Sequence, residues 1–255
     1  MINNWIGFQT LVRREVERMF RAPLQALVTP LVSALLYIFI FGQVVGERID
    51  NIAGVSYIDF VLPGVLMMNI IGSSFSQTSF GIYFQRFAKH IEEILISPLS
   101  YFEIVASLVV AGIVRGLLVG LGVLVIAVIF SAANLANFGF FLFYAIAVSI
   151  IFSLFGILIG LWAKEFEHLS ILSVFVITPL SFLGGVFNSV EMLPTGFQTF
   201  VKLNPFFYFI DGIRYSMIGI QEANPIIGLA IIISLIVGLG LLVIHLFKRG
   251  YGLRV

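Results

Sequence analysis

The sequence predicts an all-α polytopic membrane protein with six transmembrane helices, and three observations carry that prediction. Hydrophobic residues make up 60% of the 255 residues and charged residues 11%, against about 45–50% and about 25% in soluble domains. Apolar stretches near the length of about 20 residues needed to cross a bilayer recur along the whole chain. The pieces between them are short, which leaves no room for an appended soluble enzyme and predicts a single domain over residues 1–255.

The first element is an amphipathic helix over residues 1–21. Trp5, Phe8, Val12, Val16 and Met19 recur at helical spacing, with Arg13, Arg14, Glu17, Arg18 and Arg21 on other faces. Such a helix lies along the inner leaflet before the chain turns inward at Pro23. The spans follow at 24–45, 58–82, 103–131, 138–163, 169–188 and 225–247. The first of them begins after Glu15 and Glu17 and lacks a small-residue cleavage site, so it reads as a retained span rather than a signal peptide. The third and fourth share one uncharged run from Gly116 to Ala163, divided at the Ser131–Asn137 segment, where two asparagines mark a turn.

Orientation follows from the basic residues. One alternating set of segments holds Arg13, Arg14, Arg18, Arg21, Arg86, Lys89, Lys164, Lys248, Arg249 and Arg254; the other holds Arg48, Lys202 and Arg214. By the positive-inside rule both termini are cytoplasmic.

Two connections stand out. Within residues 86–100, Ala88, Ile91, Ile94 and Leu95 form an apolar stripe, Lys89, Glu92 and Glu93 lie away from it, and Pro98 ends the helix. Ser100 and Glu103 supply a capping box that ties this short cytoplasmic knob to the third span. The second connection, Asn188 to Asn224, is too polar for a span and too apolar for an ordinary loop, so it is expected to dip into the outer leaflet over 193–217. Asn204-Pro205 and Asn224-Pro225 each read as an N-cap followed by proline at the first helical position. Asp211 and Arg214, three apart on the first of these helices, are placed to pair, a surface ion pair or a gate.

The net charge of +1 points to neither nucleic acid nor an acidic substrate, and the absence of cysteine removes thiolate metal sites and thiol nucleophiles. No phosphate-binding G-x-x-x-x-G-K-[ST] loop occurs. His90, His168 and His245 are scattered over different segments, so no metal site is expected. Arg115 is the exception in the spans. It sits about a dozen residues into the third, roughly 18 Å of helix rise, where an isolated charge needs a polar partner. Gln77, Ser74 and Ser76 are candidates, and Gly112, Gly116 and Gly120 give a flat face around it for close helix approach. The arrangement reads as a packing or subunit contact, with direct substrate binding as the alternative. Gly156 and Gly160 offer a second such face.

Several motifs occur together in order: Ile91-Glu-Glu-Ile-Leu-Ile-Ser-Pro-Leu99, Arg115-Gly-Leu-Leu-Val-Gly120, Thr178-Pro-Leu-Ser-Phe-Leu-Gly-Gly-Val-Phe187, Leu193-Pro194, Asn204-Pro205, Asp211-Gly-Ile-Arg-Tyr215 and the Arg249-Gly-Tyr-Gly-Leu-Arg254 tail. Across essentially the full chain they resemble the ABC-2 family of ATP-binding-cassette exporter permeases. The resemblance implies a six-span subunit of the bacterial inner membrane that forms a dimer, here expected to be a homodimer, and docks separate cytoplasmic ATPase subunits. ATP and Mg would bind to the ATPase, and this chain would need no cofactor of its own. It implies a connecting-helix role for the N-terminal helix, a coupling-helix role for the knob around Glu92, Glu93 and Pro98, and re-entrant helices over Leu193 to Met217, with a cargo path formed mainly by the second and fifth spans.

The functional expectation is therefore an exporter permease for an amphipathic or lipid-like cargo, since the spans are so poor in charge. An autonomous channel or ion-coupled carrier is the alternative, disfavoured by the scarcity of intramembrane carboxylates. A lipid-modifying enzyme would have to rest on Glu165, Glu167 and His168.

Overall fold

The computed structural model describes residues 4–46, 51–52, 54–130 and 135–253. Arg48, residues 131–134 of the predicted turn and Arg254 lie outside them. Among the described residues the chain forms α1 (Trp5–Arg21), α2 (Leu24–Gly42), a two-residue hairpin of β1 (Asn51–Ile52) with β2 (Val55–Ser56), then α3 (Tyr57–Phe87) and α4 (Ile91–Ile96). There follow α5 (Tyr101–Phe130), α6 (Phe138–Trp162), α7 (Phe166–Leu183), α8 (Thr195–Leu203), α9 (Pro205–Ile218) and α10 (Pro225–Arg249). Helices α2, α3, α5, α6, α7 and α10 are long and apolar enough to cross a membrane. The hairpin is the sole departure, among the described residues, from the all-helical expectation.

Asparagines begin four helices, because a side-chain amide oxygen can accept from the free N–H groups of a first turn. Asn4 accepts from Gly7 N at 3.0 Å, Asn137 from Phe140 N at 3.2 Å, Asn204 from Phe206 N at 3.1 Å and Asn224 from Ile226 N at 2.9 Å. The predicted capping box forms at α5. Ser100 N donates to Glu103 Oε2 at 2.7 Å and Glu103 N to Ser100 Oγ at 3.2 Å. Glu103 Oε1 also accepts from Asn4 N at 3.3 Å, joining the start of α1 to the same corner.

The core is organised around α3. Its most apolar stretch is 72% buried, against 17% for those of α2, α7 and α10. Helix α3 can be deeply buried because several of its polar residues find backbone partners and its neighbours present small residues. Ser74 Oγ donates to Gly112 O of α5 at 3.2 Å, and Thr78 Oγ1 to Ser153 O of α6 at 2.9 Å. A Cβ on Gly112 would strike Ser153, one on Gly116 would strike Ser74 and Ser149, and one on Gly120 would strike Ile70. The glycine face around Arg115 is thus spent on packing within the chain, against α3 and α6. Helix α3 also runs five residues past the predicted end of the second span, so Gln85 and Arg86 are helical and buried rather than part of a loop. Arg86 Nη1 donates to the final carbonyls of α6, Gly160 O at 2.6 Å and Ala163 O at 2.9 Å.

Helices α2 and α7 share a device. Each contains a Thr-Pro pair, Thr29-Pro30 and Thr178-Pro179, immediately after a widened turn at Leu24–Val28 and Ser173–Ile177. Proline carries no N–H, so the helical ladder loses a bond. In both helices the threonine hydroxyl donates five residues back, to Leu24 O and Ser173 O, each at 3.1 Å.

Candidate functional site: a cationic cavity and a capped helix corner

Along the groove between α3 and the α1–α2 pair lies a cavity of about 600 Å³. Its polar wall is built by α3, whose Asn69, Ser73, Ser76 and Gln77 recur at three- and four-residue spacing and therefore share one face. Arg115 reaches this wall from α5. Pro30, four residues after Ala26, cannot supply the N–H that the Ala26 carbonyl would meet in a regular helix, and Arg115 Nε donates to that carbonyl at 3.2 Å. Arg115 Nη1 donates to Gln77 Oε1 at 3.4 Å, so Gln77 is the one of the three sequence candidates that meets the guanidinium. Ser74 turns to Gly112 O instead, and Ser76 lines the cavity. No carboxylate among the described residues lies within ion-pair distance of Arg115. Part of the cavity wall is aromatic, where Phe80 and Phe84 of α3 face Phe166 of α7 with ring centroids 5.3 and 6.0 Å apart.

Helix α1 closes the cavity with a charge in an unexpected place. Helical spacing offers its apolar residues as the packing face, yet Leu11, Glu15 and Met19 are the buried ones, and Arg18 turns inward with them. This corrects the expectation that Arg18 lies on an outer face. Glu15 is 1% exposed, bonded by Gln85 Nε2 at 2.6 Å and paired with Arg18 Nη2 at 2.8 Å. Arg18 Nη2 also donates to Gln77 O at 3.1 Å, an approach that Gly81 permits by having no side chain there. The partners were invisible to local spacing because they come from α3, 59 and 70 residues away.

Burial raises the Glu15 carboxyl above its ordinary value of 4.5, with Arg18 and Arg14 pulling the other way. A raised folded-state value means this group's contribution to stability is full below about 4.5 and is lost as pH rises through the raised value. The melting temperature of the wild type relative to Glu15→Gln is therefore expected to fall as pH rises above about 4.5; a difference that does not change with pH would contradict the assignment.

At the corner between α3 and α5, Ile91 and Ile94 of α4 are buried with Leu11 of α1 and Ile104 and Leu108 of α5, while Leu95 is half-buried. Glu92, Glu93 and Pro98 are exposed. Ala88 does not join the stripe. It is exposed in the sharp break between α3 and α4, where Lys89 adopts φ +60°.

On α9, Asn204 caps the helix start and its Nδ2 also donates to Leu180 O of α7 at 2.7 Å, with Pro205 in the first turn. Asp211 and Arg214 do not form the ion pair expected from their spacing. The Asp211 carboxylate accepts from Glu222 N at 2.8 Å and Ala223 N at 3.1 Å. Arg214 donates to backbone carbonyls of Phe60 and Gly185. Each is claimed by backbone outside its own helix, which the i, i+3 rule does not see.

The helices define a polytopic membrane protein wrapped on a polar, deeply buried α3, with a cationic cavity at its side. The ABC-2 type transporter family model matches residues 6–218. The inner membrane transport permease YadH of Escherichia coli (strain K12) is 35% identical over 250 residues, 98% of each chain. Nodulation protein J of Rhizobium meliloti (strain 1021) is 26% identical over 221 residues, 85% of this chain and 82% of that one. This chain belongs to the ABC-2 type transporter family and is a membrane transport subunit.

Proposed function

We propose that this chain is the transmembrane subunit of an ATP-driven exporter of the bacterial inner membrane, working as a homodimer with a separate cytoplasmic ATPase, with both termini on the cytoplasmic side. The cargo is amphipathic or lipid-like. ATP and Mg are held by the ATPase, a reading supported by the absence of a phosphate-loop motif from this sequence. The observation that carries the reading is the family match over most of the chain, since permeases of this family work with such an ATPase. In this reading α4 is the coupling helix. Its acidic residues face outward while Ile91 and Ile94 pin it to α1 and α5, and the Ser100–Glu103 box leaves little slack between α4 and α5. A push on α4 then moves α5, and α5 carries Arg115 to the cavity wall. Helix α1 rests along the inner leaflet, and α8 with α9 forms the outer re-entrant pair.

Replacing both Glu92 and Glu93 with arginine is expected to leave membrane insertion and the melting temperature unchanged, because both side chains are exposed. Co-purification of the cognate ATPase should be lost, because the charge that α4 presents to it is reversed. Retention of the ATPase at wild-type yield would remove the coupling assignment.

A further inference from the structure

Arg115 is under-used by the protein that surrounds it. A guanidinium carries five N–H donors; two are engaged, by Ala26 O and Gln77 Oε1. Among the described residues no carboxylate neutralises it. Burying a cation part-way through a bilayer without an anion is costly, and such residues mark ligand paths or find partners. Two features next to it ask for the same missing group. Ser73, 3% exposed on the same wall, has a hydroxyl with no hydrogen-bond partner. The cavity itself, about 600 Å³, falls within the range of about 300–1,000 Å³ typical of small-molecule sites, and both Arg115 and the aromatic pair Phe80 and Phe166 line it.

We propose that this cavity binds the anionic headgroup of an amphiphile, a phosphate or a chemically similar oxyanion, against Arg115 and Ser73, with the apolar chain leaving along Phe80 and Phe166. The inference rests on the exporter reading and narrows its cargo class. Arg115 supplies charge and a planar fork that suits an oxyanion. Ser73 adds a neutral donor, and Gln77 holds the guanidinium in place. Resident phospholipid and transported cargo present the same headgroup chemistry, and binding distinguishes them by exchange.

The test uses the purified full-length chain in dodecyl maltoside, with thermal stabilisation read against dodecyl phosphate and against dodecylphosphocholine, whose headgroup has no net charge. The wild type is expected to reach half-maximal stabilisation at a concentration at least tenfold lower with dodecyl phosphate, the factor that roughly one charge-assisted bond supplies. Arg115→Gln should abolish that preference, and Ser73→Ala should weaken it roughly threefold. Equal responses to the two amphiphiles in the wild type, or an undiminished preference in Arg115→Gln, would overturn the site. Should Arg115→Gln fail to fold, the wild-type preference and its weakening in Ser73→Ala decide the matter. Native mass spectrometry of the washed wild type then names the source. A retained phospholipid that dodecyl phosphate displaces supports the site as a resident-lipid site, and a free site that dodecyl phosphate fills supports it as an exchangeable cargo site. Loss of the phosphate preference with ATPase co-purification intact sinks this site alone, whereas failed co-purification with the preference intact sinks the exporter reading alone.

Discussion

Arg214→Met is expected to remove the folded protein from the membrane, leaving little or no monodisperse material after extraction. Arg214 is fully buried, the largest side chain to be so among the described residues. Its Nε donates to Phe60 O of α3 at 3.3 Å, its Nη2 donates to Gly185 O beyond the end of α7, and its guanidinium carbon lies 3.9 Å over the Phe60 ring. One side chain therefore clasps three segments. Gly185 itself adopts φ +86°, so the turn it caps is one that other residues enter only with strain. Methionine fills much of the volume but leaves the buried Gly185 carbonyl without this donor, at about 1–3 kcal/mol, and also forfeits the second bond to Phe60 O and the cation–π contact. Set against a total stability of about 5–15 kcal/mol, that loss is large. Arg214→Lys should rescue only in part, because a point charge on a flexible stem cannot span both carbonyls. A normal yield of Arg214→Met, melting within a few degrees of the wild type, would refute this account.

The fate of Arg214 also marks where sequence reading stops. Its spacing from Asp211 was plain, and so was its charge, yet the partners that decide its role are carbonyls 154 and 29 residues away. Glu15 makes the same point. A carboxylate on an amphipathic helix is assigned to water by default, and its burial here rests on Arg18 turning inward to pair with it and on the arrival of Gln85 from α3. What local chemistry specifies was legible: the six apolar stretches, the Asn-Pro helix starts, the Ser100–Glu103 box and the exposure of Glu92 and Glu93 opposite Ile91 and Ile94. The cavity lies between these cases. Arg115 announced its need for a partner and Gln77 was a candidate, and the polar face through Asn69, Ser73 and Gln77 stands in the sequence at helical spacing. The carbonyl of Ala26, released by Pro30, was not foreseen, because it required knowing that α2 crosses α5 at that level.

Gly156 provides the second large effect, and it tests whether α3 is held by close backbone approach. A Cβ built on Gly156 would lie 2.6 Å from Phe75 O and 3.2 Å from Ser79 N, both backbone atoms of α3, and would also strike the Thr78 hydroxyl. That hydroxyl makes the 2.9 Å bond to Ser153 O that joins the two helices. A flexible side chain could swing aside; two backbone atoms and a bonded hydroxyl cannot, so even a methyl must push α6 off α3. Overpacking of this kind costs about 1–3 kcal/mol, and Gly156→Ala is expected to lower the melting temperature accordingly, while Gly156→Leu should yield no folded protein. Gly238 of α10 is the matched control. It is exposed, and a Cβ there meets nothing within 4 Å. Gly238→Ala should therefore be neutral to slightly stabilising, and the gap between the two alanine variants isolates the steric cost from the helix-propensity gain common to both. If the two variants melt together, α6 can yield at this contact, and the small-residue seam is not what keeps α3 in the centre of the bundle.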